Sequence, residues 1–342
     1  MQGAGLVREV LEDYGTVAQR ALRAGLSSAA SRDPVYQLAA DYPLRGGRAL
    51  RASYCIAAAR VFGASVDEAS LSAVSLELLH SAFLVRDDVE DESHERRGRP
   101  ALHMLHGVAT AVNAGDALTV LGLHPLLKNR FMLGDALALQ ILEETARMVR
   151  ESVEGQAMEL RWRCNNELAL RDEDYLKMVL KKTCWYTTIY PSRVGAIIGA
   201  RSRTDLDRFV RFGFFLGAAF QVQDDLLNLI GDHAQYGKEL NGDIYEGKRT
   251  LMLIHLLHQL RGRDAQRLRT FLARSRTRRS ARDVAWVRER MRSHGSIEHG
   301  RRIAQALAGA ATHEFHAAYG DAPEGRDKQF IRSLPEWVLA RR

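Results

Sequence analysis

Apolar residues recur at three- and four-residue intervals along most of this chain, the period of an amphipathic helix. The pattern predicts helices over Ala49 to Phe62, Ser65 to Val89, Ala109 to Leu121, Asp135 to Met158, Glu173 to Tyr190, Thr204 to Ile230, Thr250 to Leu260 and Ile297 to Tyr319. No segment sustains period-two alternation with β-branched enrichment, so a sheet is not expected. The predicted fold class is all-α, a helical bundle whose site is built from inward-facing side chains. No Pro/Gly/Ser-rich linker interrupts the pattern, so residues 1–342 are read as a single domain. Breakers fall at Pro43 and Gly46-Gly47, at Gly98 and Pro100, and at Gly231, Gly237, Gly242 and Gly247.

Two of the predicted helices carry acids where their pattern is otherwise strongly apolar. SLELLHSAFLV precedes DDVED (Asp87, Asp88, Asp91), and GFFLGAAFQVQ precedes DDLLN (Asp224, Asp225, Asn228). Each presents oxygens at i, i+1 and i+4, so the first and last lie on one helical face. A lone triplet in a charged helix is an ordinary solvated patch, but acids buried after such apolar runs are costly without cations. Two such faces turned toward one another suit Mg²⁺, which takes oxygen ligands and keeps places for substrate phosphates.

Basic and polar segments flank both acidic helices. LRGGRALRA (Leu44 to Ala52) leads from a Gly-Gly turn into a helix start bearing Arg48 and Arg51, an arrangement that suits an anion. ERRGRPALH places Arg96 and Arg97 just beyond Asp91. KKTCWYTTIYP carries Lys182 and Thr183, with the lysine expected to reach into a polar cleft. GKELNGDIYEGKRTL carries Lys238 and Lys248, each after a glycine, with ammonium groups suited to a phosphate.

The formal net charge of +7 suits nucleic acid, an anionic membrane surface or small anionic substrates. Its densest stretch, Arg261 to Arg282, alternates with Leu and Phe and reads as the wet side of a surface helix, and no nucleic-acid motif accompanies it. The three cysteines, Cys55, Cys164 and Cys184, lie far apart and are expected to be buried and reduced. The N-terminal MQGAGLVREVLEDYG has no signal-peptide layout and no apolar run reaches spanning length, which predicts a cytoplasmic protein without an integral membrane segment.

In order, GGRALR, HSAFLVRDDVEDESHERRGRP, NAGDAL, KKT, FQVQDDLLNL and GKELNGDIYEGKRTLM resemble the trans-isoprenyl diphosphate synthases, or polyprenyl synthetases, most closely the geranylgeranyl diphosphate synthases. The resemblance runs from about Leu44 to the C-terminal SLPEWVLARR. It implies an all-α homodimer of the class I isoprenoid synthase type, each subunit enclosing a deep central cavity. Asp87, Asp91 and Asp224 would hold three Mg²⁺ ions with Asp88 and Asp225 assisting, and Asn228 would offer an amide ligand. Arg96, Lys182 and Lys238 correspond to residues that bind the allylic diphosphate. Arg48, Arg51, His80 and Arg97 correspond to those that bind isopentenyl diphosphate, and Thr183 and Gln221 to those that line the reacting centre.

Departures from the commonest pattern are Arg86 before the first Asp pair, Arg48 for Lys, Ala49, Ala52, and Asn228 for a final Asp. The cavity floor is expected one and two turns below the metal ligands, near Leu79, Ala82 and Phe83. Ala82 opens it and Phe83 limits it, which favours a geranylgeranyl product over farnesyl or longer ones. Two rival readings are a class I terpene cyclase, which has no use for a second diphosphate site, and a non-catalytic partner subunit, which is expected to lose metal ligands.

Overall fold

The computed structural model describes residues 2–30, 33–231 and 239–341. The helices are α1 (Gln2–Ala30), α2 (Pro34–Leu44), α3 (Leu50–Val61), α4 (Val66–Glu90), α5 (Leu102–His106), α6 (Val108–Leu133), α7 (Asp135–Cys164) and α8 (Asp172–Val179). A π-helical segment (Leu180–Ile189) then leads into α9 (Tyr190–Ala200) and α10 (Arg208–Ile230). The remainder is α11 (Gly242–Glu246), α12 (Leu251–Gln259), α13 (Gly262–Leu272), a 3₁₀ turn (Arg276–Arg278), α14 (Ala281–Ser293), α15 (Ser296–Tyr319) and α16 (Arg326–Leu339).

The acidic helices are central to this arrangement. α4 starts at a capping box, in which Ser65 and Glu68 each accept from the other's backbone N–H. It packs on α3 and α6, and α10 packs on α15 and the π segment. One large apolar core joins α1, α3, α9, α10 and the C-terminal helices, and a smaller one fills the space between α2, α4 and α6. By length and composition α4 is the one described helix apolar enough to cross a membrane, yet 67% of that window is buried inside the protein.

Glycines set the closest approaches. A methyl group at Gly155 of α7 would lie 2.6 Å from Cα of Lys182, and one at Gly217 of α10 would lie 2.9 Å from Cα of Cys184. The π segment is therefore wedged between two helices at backbone contact.

Several expectations need correction. α1 was not anticipated, although Val7, Val10, Leu11, Tyr14, Ala18, Leu22 and Leu26 form its buried stripe. A two-stranded antiparallel ribbon does exist, Glu95–Arg96 against Arg99–Pro100. Its two-residue loop is Arg97-Gly98 with φ of 55° and 69°, the signature of a type I′ turn. In the basic stretch, α13 ends at Leu272, and Arg276 and Arg279 turn inward. Arg279 donates to the carbonyls of Tyr245 (2.6 Å) and Leu272 (2.9 Å), and Arg276 pairs with Glu239 (2.5 Å), tying Glu239 and Tyr245 to the basic stretch. Cys55 and Cys184 are buried as expected, whereas Cys164 is exposed at the end of α7.

Candidate active site

Both acidic helices open on one cavity of about 640 Å³. Its walls include Arg48, Arg51, His80, Phe83, Asp87, Arg96, Arg97, Lys182, Thr183, Gln221, Asp224, Asp225 and Lys248. Lys238 lies outside the described residues.

At the acidic end, nearly every carboxylate is matched to a cation. Asp87 Oδ1 accepts from Lys182 Nζ at 3.2 Å, and its Oδ2 is 3.4 Å from Arg96 Nη2. Lys182 also pairs with Glu159 of α7. Asp91 closes α4 and lies buried between Arg163 Nη1 (2.7 Å) and Lys248 Nζ (2.6 Å). Burial nevertheless pushes its carboxyl up to about 7, with Lys248 opposing the shift. Lys248 is no loose ammonium: it also reaches Glu246 at 2.9 Å. Burial works against the charge of Lys182, but Asp87 and Glu159 outweigh it and hold its pKa above the usual lysine range.

On α10, Asp224 Oδ1 accepts from Arg341 Nη2 at 2.7 Å, and that guanidinium sits 4.1 Å over the Phe220 ring. Asp225 is buried, accepting from Tyr175 Oη and Gln221 Nε2, each at 2.7 Å. Burial raises its pKa to about 6 against those two donors. Thr183 Oγ1 donates to Gln221 Oε1 at 2.9 Å, so a hydrogen-bonded chain joins Thr183, Gln221, Asp225 and Tyr175.

Two of the six residues expected to hold metal are otherwise engaged. Asp88 is buried behind the cavity, where Tyr42 Oη donates at 2.5 Å and Arg96 Nε at 2.9 Å. It is one residue, or about 100°, around the helix from Asp87, so it anchors Arg96 and the ribbon rather than facing the cavity. Asn228 uses its amide on the following loop, donating to the Glu239 carbonyl (3.2 Å) and accepting from Asp243 N (3.1 Å). Conversely, Glu159 was not foreseen. Carboxylate oxygens of Asp87, Asp91 and Glu159 come within 4.8 Å of one another, a donor set of hard oxygens that fits a divalent cation. Its signal in the sequence is an acid in the apolar run of α7, one helical turn after Gly155.

The basic end differs. Arg51 Nη2 donates to Thr187 Oγ1 at 3.0 Å, its Nη1 lies 3.3 Å from His80 Nε2, and the guanidinium stacks 4.5 Å over Tyr186. Arg97 Nη1 donates to the Tyr42 carbonyl at 3.0 Å, and Arg48 lies 5.7 Å from the Trp337 ring. Among the described residues, then, the direct partners of Arg48, Arg51 and Arg97 are hydroxyl, imidazole and carbonyl groups and rings, none of them a carboxylate. The departure at Arg86 is explained by α6, where Asp116 Oδ1 accepts from it at 2.7 Å.

The chain-length expectation is half corrected. Phe83 lines the cavity, edge-on to Tyr186 with centroids 5.6 Å apart. Leu79 and Ala82 face α6 instead: Leu79 Cγ would sit 3.1 Å from a methyl at Gly122, and Ala82 packs in the small core with Ala111, Ala114 and Leu118. Ala82 lies about 100° around the helix from Phe83, whereas Leu79, one turn before Phe83 and on nearly the same face, is covered by the close approach of α6 at Gly122. Val153, Ala157 and Leu160 of α7 add to the apolar lining of the cavity.

Known proteins show the same architecture. The short chain isoprenyl diphosphate synthase of Methanothermobacter thermautotrophicus is 29% identical over 270 residues, which span 78% of this chain and 80% of that protein. The solved geranylgeranyl pyrophosphate synthetase of Pyrococcus horikoshii Ot3 has a TM-score of 0.85 at 26% identity, covering 100% of both chains. A polyprenyl synthase of Caulobacter crescentus CB15, solved with calcium and isoprenyl diphosphate, also has a TM-score of 0.85 at 26% identity, covering 98% of each. The family model described as polyprenyl synthetase matches residues 33–291, spanning both acidic helices and the basic segments around them, and the chain belongs to that family.

Proposed function

We propose that this chain is a Mg²⁺-dependent head-to-tail prenyltransferase that condenses isopentenyl diphosphate with an allylic diphosphate to give geranylgeranyl diphosphate. The observation that carries this reading is that one cavity has an acidic end and a cationic end, Arg48, Arg51 and Arg97, whose guanidinium groups have no direct carboxylate partner among the described residues. The first suits a metal-bound diphosphate and the second a free one. A terpene cyclase has no use for the second end.

In this reading Asp87, Asp91 and Glu159 on one side of the cavity and Asp224 and Asp225 on the other would hold the metal, three Mg²⁺ ions in all. Bound Mg²⁺ supplies Lewis-acid stabilisation of the leaving diphosphate. Lys182, Arg96 and Lys248, with Lys238, orient the allylic diphosphate and neutralise its growing charge as the allylic C–O bond breaks. Arg48, Arg51, His80 and Arg97 hold isopentenyl diphosphate so that its double bond forms the new C–C bond. The proton lost from that unit passes to the departing diphosphate. Thr183 and Gln221 position the reacting centre, and the apolar wall excludes water from the cationic carbon.

The test is product chromatography after incubating the protein with Mg²⁺, isopentenyl diphosphate and dimethylallyl, geranyl or farnesyl diphosphate in turn, with a chelator control. A metal-dependent geranylgeranyl product supports the reading, and cyclised hydrocarbons or no turnover sink it. Phe83→Ala is expected to shift the main product by at least one isoprene unit, because it removes an aromatic from the cavity wall. An unchanged product distribution would move the length limit to α7.

We propose a cytoplasmic, single-domain protein that works as a homodimer. The outer face of α6 exposes Val112, Val120, Leu123, Leu127 and Phe131 at helical spacing, with Leu127 58% and Phe131 86% exposed. A contiguous apolar stripe of this kind marks an interface. The double substitution Leu127→Asp and Phe131→Asp is expected to halve the mass measured by sedimentation. A dimer that survives both changes places the interface elsewhere.

A further inference from the structure

Glu77 lies in the cavity wall on α4, and none of the roles above uses it. Its buried side chain crosses to α3, where Oε1 accepts from the backbone N of Ala52 at 3.2 Å. That N–H belongs to the first turn of α3, which begins at Leu50. The preceding residue, Ala49, has φ 46° and no side chain able to cap. The turn that carries Arg48 and Arg51 thus takes an acceptor from a different helix.

The same carboxylate lines the cavity together with Arg51 and Arg97, near enough to act on both through charge but without a direct ion pair to either among the described residues. Burial lowers the pKa of Arg97, Glu77 is the main influence opposing that, and Arg96 and Arg51 add repulsion. Reciprocally, burial raises the Glu77 carboxyl, and Arg51, the Ala52 N–H and Arg97 pull it back. Thr187, His80 and Tyr186 engage the two terminal nitrogens and the plane of Arg51, while its buried Nε has no hydrogen-bond partner among the described residues. Like charges brought together in a dry wall drift apart unless a counter-charge holds them.

We propose that Glu77 is the positioning residue of the cationic end: it caps α3 and holds Arg51 and Arg97 toward the cavity before the anion arrives. The proposal rests on the reading that this end takes isopentenyl diphosphate. It makes Glu77 act through the arginines, without touching substrate.

Steady-state kinetics of the full chain with Mg²⁺ test it. Glu77→Gln keeps an oxygen for the Ala52 N–H but removes the charge. It is expected to raise KM for isopentenyl diphosphate about tenfold, or roughly 1.4 kcal/mol, while KM for the allylic diphosphate stays within about twofold. Glu77→Asp restores the charge and is expected to recover most of that loss; it also reads the same ratio should Glu77→Gln fail to fold. A purely structural role would lower Tm and move both KM values together, and that result overturns the proposal. So does an unchanged or lowered KM for isopentenyl diphosphate, since an anion that merely repelled substrate would improve binding when removed. If the wild-type protein turns over no isopentenyl diphosphate, the functional reading falls and the proposal with it; if it does and the KM ratio stays fixed, only the proposal falls.

Discussion

Asp87→Ala lowers kcat/KM for the allylic diphosphate about a thousandfold, equivalent to roughly 4 kcal/mol of transition-state stabilisation. Asp87 is the half-exposed carboxylate of the Asp87, Asp91 and Glu159 group, so it is the member most open to the cavity. Its removal should leave the fold standing. Lys182 keeps Glu159, and Arg96 keeps Asp88. Asp91→Ala makes the contrast, because it strips half-buried Lys248 and Arg163 of a shared, fully buried partner and is expected to lower Tm as well. Kinetics at saturating Mg²⁺ beside a thermal melt separate the two effects. Activity within tenfold of wild type in Asp87→Ala would remove this carboxylate from the chemistry.

Gly155→Ala is expected to destabilise the protein by about 3 kcal/mol or more, at the upper end of the range for overpacking. Most overpacked sites yield by turning a side chain, but here the neighbour is backbone. The added methyl would lie 2.6 Å from Lys182 Cα and 2.8 Å from the Lys181 carbonyl carbon, so α7 and the π segment must move apart. That movement carries Lys182 away from Asp87. Activity should therefore fall further than the lost stability explains at a temperature where the variant is still folded. A denaturant melt compared with kcat on the same preparation gives the answer, and an unchanged melt would mean that the two helices slide freely.

The acidic pairs were legible in the sequence because their helical period, apolar approach and flanking bases agree. Arg48, Arg51, Arg96, Arg97, Lys182 and Thr183, on the flanking basic segments, line the same cavity, and so does Gln221, which only the family resemblance pointed to. Glu159, Glu77 and Arg341 were not legible. Glu159 lies on a helix with no acidic motif of its own, Glu77 lies well upstream of the acidic pair on α4, and Arg341 follows the last helix, so only tertiary packing brings each of them to the site. The uses of Asp88 and Asn228 were hidden differently. A carboxylate or amide beside a metal motif reads as a ligand, whereas Asp88 serves Arg96 and Tyr42, and Asn228 serves the Glu239–Asp243 loop. Helix α1 was missed because its exposed face is rich in charge and glycine, which obscured a correct apolar stripe. The inward turn of Arg276 and Arg279 was invisible because an arginine that caps carbonyls has the same letter as one in water.

The π-helical geometry of Leu180–Ile189 has a bearing on how the chain tolerates insertions and deletions. Its closing N–H, at Tyr190, reaches the carbonyl of Trp185, five residues back. Each such ring holds one residue more than an α-helical one. Losing a single residue here and relaxing to α geometry would turn everything on one side by about 100° against the other. Lys182, Thr183 and Tyr186 on the cavity side would lose their alignment with Ile189 and α9, which are fixed in the core. The number of residues in this segment, and not only the identities of Lys182 and Thr183 within it, is therefore fixed by the site it serves.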